Sequence, residues 1–454
     1  MIDLSIFRQY DIRGKVDEQL NEEAVTSIAR AFGKYVSNTG RNKMIVGRDN
    51  RISSPLFRDL VVKSLIESGL DVFDIGEVIT PVFYFASKYL DIDAGVMITA
   101  SHNPGSDNGF KLLLGESTIY GEEIQEIAKM AVDNEKIESG FKGNLHYLDV
   151  TEDYITDIKE RVLLGNRKLK MVVDCGNGTA SYIAPRLFRE LGCEVVELYC
   201  KSDPSFPNHH PDPVKVENCQ DLIRVVQSEG ADIGIGFDGD GDRLGVVSPN
   251  GQIIWGDMLM ILFWREILEK YPGADCIVEV KCSQSLIDEI KRLGGKPIIY
   301  KTGHSLIKAK MRELGAVFTG EMSGHMFFAD EHYGYDDALY AAARLLRILS
   351  NSEQDLDELL VDVPIYYATP EIRVKSTDEE KFIVVDKVLK HFRNKYELID
   401  VDGARILFPN GWGLVRASNT GPELIVRCEG NSPEALEDIK AELFGYLGEL
   451  GFEL

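Results

Sequence analysis

A strand, turn, helix and strand follow one another three times along the chain, and this repeat limits the fold more than any other feature. The first copy covers 44–75, where an apolar run leads into an amphipathic stretch that ends at glycine, before a second apolar run. The same order recurs over 171–198 and 276–300. A helical connection of this kind joins parallel strands by a right-handed crossover. The chain is therefore predicted to contain three βαβ-type α/β domains of one design, each with a mixed sheet.

The last part of the chain has a different pattern, typical of a small α+β domain. It predicts a strand at 372–375, a helix at 378–393, strands at 404–408, 412–417 and 423–428, and a final helix that begins after Ser432. The predicted domains are an α/β domain with a serine loop at 1–150, an α/β domain with an acidic loop at 151–250, an α/β domain with a Glu-Met-Ser loop at 251–365, and an α+β domain at 366–454.

Composition and charge exclude several classes of partner. The 454 residues carry a net charge of −24, which disfavours nucleic acid and anionic membranes as partners. We find no apolar run long enough to span a bilayer, and the polar start Met1-Ile2-Asp3 does not predict a signal peptide. The seven cysteines are scattered without a Cys-x-x-Cys pair, which favours reduced thiols in a cytoplasmic protein.

The run 99–104 places a serine and a histidine at the end of a strand. It follows the apolar stretch 94–98 and leads into an Asn-Pro-Gly turn that stops regular structure. Ser101 is thus predicted on a tight loop, where a hydroxyl can be exposed for chemistry. Taken alone, a serine in this place is more often a turn or helix cap than a nucleophile.

An acidic loop is the strongest single signal for a site. Asp238, Asp240 and Asp242 alternate with glycines after the apolar run 233–237. Glycine lets the backbone curl so that the three carboxylates converge. Converging carboxylates repel one another unless a hard divalent cation neutralises them, so the loop predicts a Mg²⁺ site. An EF-hand loop would need glycine at its sixth position, where Arg243 stands, and we reject it.

Two further loops carry polar groups that suit a sugar phosphate. Glu321 and Ser323 follow a predicted strand at 316–319, and a carboxylate beside a hydroxyl suits vicinal sugar hydroxyls. Arg416 and the segment 418–420 follow a strand and suit a phosphate dianion. Taken alone, each loop also fits an ordinary polar turn.

Several smaller features have weaker meaning by themselves. The glycine-rich run 175–181 approaches a dinucleotide fingerprint, but the tight turn of the second repeat explains it. Four cationic or imidazole side chains stand near predicted turns or strand ends, and each also fits plain surface charge: Arg13, Lys111, Lys281 and His304.

Together, four motifs in order resemble those of the α-D-phosphohexomutase family, and of its phosphomannomutase/phosphoglucomutase branch, over essentially the whole chain. They are 99–104, 238–243, 320–325 and 416–420. The resemblance implies a heart-shaped fold of four domains around a central cleft. It also implies reversible interconversion of hexose 1-phosphate and hexose 6-phosphate, with mannose, glucose or both as the sugar. Such enzymes work through a phosphoserine and a hexose 1,6-bisphosphate, which serves as intermediate and activator, and hold one Mg²⁺ per chain.

The resemblance implies a role for each motif residue. Ser101 would give and take back the phosphoryl group, and a phosphoryl oxygen on it would complete the Mg²⁺ site of the three aspartates. Lys111, aided by His304, would be the general base, since a lysine among cations is expected to have a lowered pKa. The other implied catalytic residues are Arg13 and His102. The implied substrate-binding residues are Tyr10, Arg243, Lys281, Glu321 and Ser323 at the 3- and 4-hydroxyls, His325, and the phosphate clamp of Arg416, Ser418, Asn419 and Thr420.

Two alternative functions are weighed against this interpretation. A phosphoglucosamine mutase usually has glutamine where Met322 stands and Ser-Gly-Thr at 418–420. A non-catalytic sugar-phosphate-binding protein would need neither Ser101 nor the acidic loop. The sequence leaves open the glucose or mannose preference, the oligomeric state, the pathway and the effect of Gly421, where most relatives carry glutamate.

Overall fold

The computed structural model describes residues 2–133, 142–419 and 421–453. They cluster into two compact units. Unit 1 comprises Met1–Gly256 and Ser323–Leu359, and unit 2 comprises Asp257–Met322 and Leu360–Leu454. The segment 323–359, which the sequence predicted within the third domain, thus clusters with unit 1. Thr420, an expected phosphate ligand, lies outside the described residues.

The first sheet of unit 1 is mixed. Its strands are β1 (Ile12–Lys15), β2 (Lys43–Arg48), β3 (Asp71–Glu77), β4 (Ala94–Ile98), β5 (Asp107–Leu114), β6 (Ser117–Thr118) and β7 (Leu145–Tyr147), in the order β1-β5-β4-β2-β3-β7 with β6 beside β5. The helices of this region are α1 (Glu22–Asn38), α2 (Ser54–Glu67), α3 (Thr80–Tyr89) and α4 (Glu122–Asp133). Strand β2 runs parallel to β3 and β4, whereas β5 is antiparallel to β4 and β1. All five residues of β4 are buried, so the loop at its end is anchored to the core.

The second sheet of unit 1 is also mixed. Its strands are β8 (Lys170–Asp174), β9 (Glu194–Leu198), β10 (Ile233–Phe237), β11 (Leu244–Val247) and β12 (Ile253–Ile254), in the order β12-β11-β10-β8-β9. The helices are α5 (Thr151–Arg161), α6 (Ala184–Glu190) and α7 (Gln220–Glu229). Strand β8 is parallel to β9 and β10, and β10 is antiparallel to β11. The acidic loop is the connection between β10 and β11.

The chain then enters unit 2 and returns briefly to unit 1. The elements up to Gly320 are α8 (Gly256–Lys270), β13 (Asp275–Glu279), α9 (Gln284–Arg292), β14 (Lys296–Tyr300), α10 (His304–Leu314) and β15 (Phe318–Gly320). Strands β13 and β14 are parallel. Unit 1 resumes with β16 (Met326–Phe328) and α11 (Ala338–Ser350). The side chain of Asp337 caps α11 by accepting a hydrogen bond from the N–H of Tyr340.

The end of unit 2 is a six-stranded antiparallel sheet with two helices. The elements are β17 (Tyr367–Ala368), β18 (Ile372–Lys375), α12 (Glu380–Phe392), β19 (Glu397–Ile399), β20 (Ala404–Phe408), β21 (Gly411–Ala417), β22 (Glu423–Gly430) and α13 (Pro433–Glu449). Apolar residues of both helices, among them Val388 and Leu443, pack with Val415 and Val426 of the sheet. No helix among the described residues is long and apolar enough to cross a membrane.

The three predicted repeats are confirmed, because each pair of strands they predicted is parallel: β2 with β3, β8 with β9, and β13 with β14. The strand before the Glu-Met-Ser loop differs from its prediction at its start. The sequence placed it at 316–319, but β15 is Phe318–Gly320. The N–H of Ala316 instead donates to the Met311 carbonyl and closes α10, after Gly315 has turned left-handed at φ 63°.

Candidate functional site

Ser101 lies on the loop after β4 in a left-handed backbone conformation, with φ 51°. Residues other than glycine rarely adopt this region, and where they do the surroundings must hold them there. One such contact is local, since the N–H of Ser101 donates to the hydroxyl of Thr99 at 2.9 Å. The serine is 2% exposed. The loop therefore fixes the direction in which its hydroxyl points.

The Ser101 hydroxyl contacts a carboxylate and an imidazole. Oγ donates to Oδ2 of Asp238 at 2.7 Å and lies 3.0 Å from Nδ1 of His102. Burial, followed by the charges of Arg243 and Arg13, lowers the pKa of His102 well below its usual range. The imidazole beside the hydroxyl is thus neutral at pH 7.

The three aspartates of the acidic loop converge as the sequence predicted. Asp238, Asp240 and Asp242 are fully buried, and one ligand atom from each lies within 4.8 Å of the others. Burial, followed by repulsion from Asp242 and Asp240, raises the pKa of Asp238 well above its usual range. Oδ1 of Asp240 and Oδ1 of Asp242 are buried without a hydrogen-bond partner among the described residues. Three converging carboxylates, two of which have an unused oxygen, fit a divalent cation that prefers oxygen ligands.

Both glycines of the loop are required by its geometry. Gly241 is left-handed, with φ 72°. A Cβ on Gly239 would come within 2.5 Å of the Ser101 carbonyl oxygen. The acidic loop and the serine loop therefore touch backbone to backbone, at a distance that only glycine permits.

Lys111, on β5, lies against the carboxylates and not among cations. Its Nζ donates to Oδ2 of Asp240 at 2.9 Å and also to Oδ2 of Asp242. Burial alone would lower the pKa of Lys111, but Asp240 and Asp242 together raise it well above its usual range. The expectation of a lowered pKa was therefore wrong in this structure, because packing of the two sheets places the acidic loop beside β5.

Cationic and imidazole groups of unit 1 surround the same loops. Arg13 pairs with Asp11 at 2.7 Å and also donates to the side-chain oxygen of Asn103, at 2.9 Å. Nε of Arg243 lies 3.1 Å from Nε2 of His325. Burial is the main reason that the pKa of His325 is lowered to about 4.

Two more predicted residues lie in unit 1. Tyr10 is buried, and Ser323 is half-buried at the point where the chain returns to this unit.

In unit 2, Lys281 and Arg416 belong to a cluster of alternating charges. Nζ of Lys281 donates to Glu371 at 3.0 Å, and Nε of Arg416 donates to Asp402 at 3.0 Å. Burial raises the pKa of Glu371, but Lys281 and then Arg373 outweigh it and lower that pKa to about 2. Two predicted substrate-binding cations are thus held in place by carboxylates that sequence reasoning had missed.

Glu321 and His304 both lie at the start of α10. Oε1 of Glu321 accepts a hydrogen bond from the N–H of Gly303 at 2.8 Å, and His304 is the first residue of the helix. A second carboxylate lies nearby, because Glu279 accepts from the hydroxyl of Thr302 and, at 3.4 Å, from the N–H of Met322. Glu279 ends the apolar strand β13, and this was the only signal that could have singled it out.

Of the predicted phosphate clamp, Arg416 lies on β21, and Ser418 and Asn419 lie in the turn that follows. The N–H of Gly421 donates to the hydroxyl of Ser418 at 3.2 Å, and Asn419 lies within the turn. Lys381 of α12, which the sequence did not single out, donates to the carbonyls of Ser418 and Gly421 at 2.8 and 3.0 Å. It is a buried lysine, and its ammonium fixes both ends of the turn.

Four family models match the chain in order. They are the phosphoglucomutase/phosphomannomutase alpha/beta/alpha domains I, II and III, at 4–138, 152–251 and 255–366, and the C-terminal domain, at 371–445. These matches confirm the predicted fold class of three α/β domains and a smaller C-terminal α+β domain.

Relatives match over nearly the whole chain. The phosphomannomutase/phosphoglucomutase of Pseudomonas aeruginosa is 45% identical over 437 residues, which are 96% of this chain and 94% of the relative. The phosphoglucomutase of Neisseria gonorrhoeae is 42% identical over 438 residues, 96% and 95% of the two chains. A crystal structure of a phosphoglucomutase/phosphomannomutase family protein from Burkholderia thailandensis matches with a TM-score of 0.91 and 43% identity, over 98% of this chain and 97% of the other. The chain therefore belongs to the phosphoglucomutase/phosphomannomutase family of α-D-phosphohexomutases, which are phosphotransferase enzymes.

Proposed function

We propose that the chain interconverts hexose 1-phosphate and hexose 6-phosphate through a phosphoserine at Ser101 and a hexose 1,6-bisphosphate. The observation that carries this proposal is the 2.7 Å hydrogen bond from the Ser101 hydroxyl to Asp238, inside a group of three buried carboxylates. A serine held at such a group is placed to carry a phosphoryl group whose charge a cation neutralises.

We assign one Mg²⁺ to Asp238, Asp240 and Asp242, with a phosphoryl oxygen on Ser101 as a further ligand. The unused oxygens of Asp240 and Asp242 support this assignment. When bound, the ion would supply positive charge that stabilises the transferring phosphoryl group.

The side chains around Ser101 have complementary tasks. In the transfer, a bond forms between a sugar oxygen and phosphorus while the bond between phosphorus and Ser101 Oγ breaks. Arg13, His102 and Arg243 line this loop and would donate hydrogen bonds to the phosphoryl oxygens. Lys111, with His304, would accept the proton of the sugar hydroxyl. To act as the base, Lys111 must first release the proton that the two aspartates now stabilise.

The remaining predicted residues would recognise the substrate. Glu321 and Ser323 would bind the 3- and 4-hydroxyls. Arg416, Ser418, Asn419 and Thr420 would clamp the phosphate that does not react, and Lys281, Tyr10 and His325 would also bind the substrate. The bisphosphate must turn over between the two transfers, so the same groups would bind it in two orientations.

The seven free cysteines support a cytoplasmic place of action.

The variant Ser101→Ala tests this proposal, with Ser106→Ala as the matched control. Ser106 is an exposed serine of the same loop, and its hydroxyl contacts Asp107 at 3.2 Å. Intact-mass measurement should find one phosphoryl group in a fraction of the wild type and of Ser106→Ala, and none in Ser101→Ala. Turnover of glucose 1-phosphate and mannose 1-phosphate, with a hexose bisphosphate as activator, should be lost only in Ser101→Ala. Near-normal turnover in that variant would refute the mechanism, and a wild type that binds but never turns over these sugars would favour a binding protein.

A preference for glucosamine 1-phosphate in the same assay would favour the phosphoglucosamine mutase alternative.

A further inference from the structure

Arg51 is a buried arginine whose donors are all used on the loop of Ser101 and on one aspartate. It lies between β2 and α2 and is 1% exposed. Its Nη1 donates to the carbonyls of Pro104 and Asp107, at 2.6 and 2.9 Å. Its Nη2 donates to the carbonyls of Ser101 and Asn103, at 2.8 and 2.7 Å.

The fifth contact of Arg51 pairs its positive charge with a carboxylate. Nε of Arg51 donates to Oδ2 of Asp49 at 3.0 Å, and Asp49 is itself buried. The hydroxyl of Ser54 and the N–H of Arg51 both donate to the other oxygen of Asp49, at 2.5 and 3.0 Å. A guanidinium has five N–H donors, and here each has an acceptor. Arg51 therefore has no donor left for a substrate phosphate, unlike Arg13 or Arg243 in the roles proposed for them.

The loop that Arg51 holds needs such a contact. Ser101 is left-handed, and its carbonyl oxygen lies between Nη2 of Arg51 and the backbone of Gly239. Four carbonyls of one short loop thus point to one guanidinium, which fixes the loop against the acidic residues. We propose that Arg51 is a positioning residue for the nucleophile: it acts through the loop 101–107 and sets the place of the Ser101 hydroxyl. This inference rests on the proposed function, in which Ser101 carries the phosphoryl group.

The test compares Arg51→Ala with Arg58→Ala. Arg58 is an arginine of α2 that pairs with Asp74, with Nε at 2.9 Å, and among the described residues it makes no hydrogen bond to the loop 101–107. Misplacing a reacting group by about 1 Å can cost about 100-fold in rate, so we expect Arg51→Ala to lose about 100-fold in kcat with KM little changed. Arg58→Ala should keep kcat and KM, whatever it does to the thermal midpoint. Millimolar guanidinium should restore part of kcat in Arg51→Ala, and urea at the same concentration should not.

Hydrogen exchange of the backbone amides gives a readout that does not depend on turnover. Peptides that cover 99–110 should exchange faster in Arg51→Ala than in the wild type and in Arg58→Ala, while peptides of α12 and α13 in unit 2 should not change. Wild-type turnover and phosphoserine, measured in parallel, test the proposed function separately. If Arg51→Ala and the wild type exchange at the same rate over 99–110, the role of Arg51 is overturned even if the wild type is an active mutase. A kcat that guanidinium does not raise would overturn it as well.

The variant Arg51→Lys keeps the proposal falsifiable if Arg51→Ala does not fold. Lysine offers three donors where arginine offers five, so at least two of the five contacts must be lost. We expect a smaller loss of kcat and a smaller rise in exchange over the same peptides. Wild-type values for both would overturn the inference.

Discussion

The hydroxyl of Thr80 donates a 2.6 Å hydrogen bond to Oδ2 of Asp240, which lies 160 residues further along the chain. The backbone N–H of Thr80 also donates to the Asp240 carbonyl, at 2.8 Å. Thr80 is the first residue of α3, which lies in the region of the first sheet. This helix therefore holds the acidic loop, which connects two strands of the second sheet. One oxygen of Asp240 is thus fixed by protein donors, and Oδ1 remains available for a cation.

We expect Asp240→Asn to weaken Mg²⁺ binding and to lower kcat, because one of three charged ligands becomes neutral. Changing a group that merely supports a metal ligand costs about 10- to 100-fold in affinity or activity, so the loss here should be at least that large. Activity measured over a Mg²⁺ titration checks this. Asp17→Asn, at an exposed aspartate of the same unit, should titrate like the wild type. An unchanged titration in Asp240→Asn would contradict the proposed metal site.

We expect Gly421→Ala to stabilise the chain by about 0.4–1 kcal/mol, because the unfolded state loses freedom at a position with room for a Cβ. Among the described residues, the atoms nearest to the added Cβ are those of the Glu423 side chain, at 3.8 Å or more. Gly403→Ala is the matched opposite case, since Gly403 has φ 89° and its Cβ would lie 2.5 Å from the Val415 carbonyl oxygen. Urea unfolding should rank Gly421→Ala above the wild type and Gly403→Ala below it. A destabilised Gly421→Ala would mean that the turn requires glycine.

We expect Glu371 to stabilise unit 2 in a pH-dependent way. Its pKa is lowered from 4.5 to about 2 in the folded chain, mainly by Lys281 against the effect of burial. The stabilisation is therefore complete above pH 4.5 and is lost as the pH falls towards 2. The gap in unfolding free energy between the wild type and Glu371→Gln should reach about 3 kcal/mol at pH 7 and narrow at pH 3.5. Urea unfolding at both pH values checks this, with exposed Glu353→Gln as the control. An equal gap at both would refute the ion-pair explanation.

We expect glucose 1-phosphate and mannose 1-phosphate both to be substrates. They differ at the 2-hydroxyl, whereas Glu321 and Ser323 are assigned to the 3- and 4-hydroxyls that the two sugars share. A site without a dedicated polar partner for the 2-hydroxyl discriminates between the two sugars by at most about two orders of magnitude in kcat/KM. The two values should therefore lie within that range. Galactose 1-phosphate, altered at the 4-hydroxyl, should be much poorer. Parallel measurements of kcat/KM check this, and a galactose substrate as good as glucose would overturn the role given to Glu321 and Ser323.

The elements that carry the site could be predicted from sequence because their signals are local. The predicted strands at 94–98 and 233–237 have the same bounds as β4 and β10. Each is a short apolar run that a turn or a glycine-spaced polar loop ends, and such runs can be read without tertiary information. Ser101 and the three aspartates follow directly after them, so their placement at strand ends was predictable as well.

The supporting contacts could not be predicted, because they join distant parts of the chain. The ammonium of Lys381 binds the carbonyls of Ser418 and Gly421. The sequence around Lys381 does not indicate this, because lysines on helices are usually exposed. Thr80 likewise looks like an ordinary helix start. The surroundings of Lys111 were mispredicted for the same reason, because they depend on how two sheets pack and not on the pattern of either one.

Gly239 couples the position of the acidic loop to that of the serine loop. With 2.5 Å between its would-be Cβ and the Ser101 carbonyl oxygen, no side chain can be accommodated unless the two backbones separate. A shift of one loop is therefore transmitted to the other, through this close backbone approach and through the hydrogen bond from Ser101 to Asp238. A substitution that displaces either loop must therefore displace the other as well, which keeps the hydroxyl and the carboxylates in the same relative position.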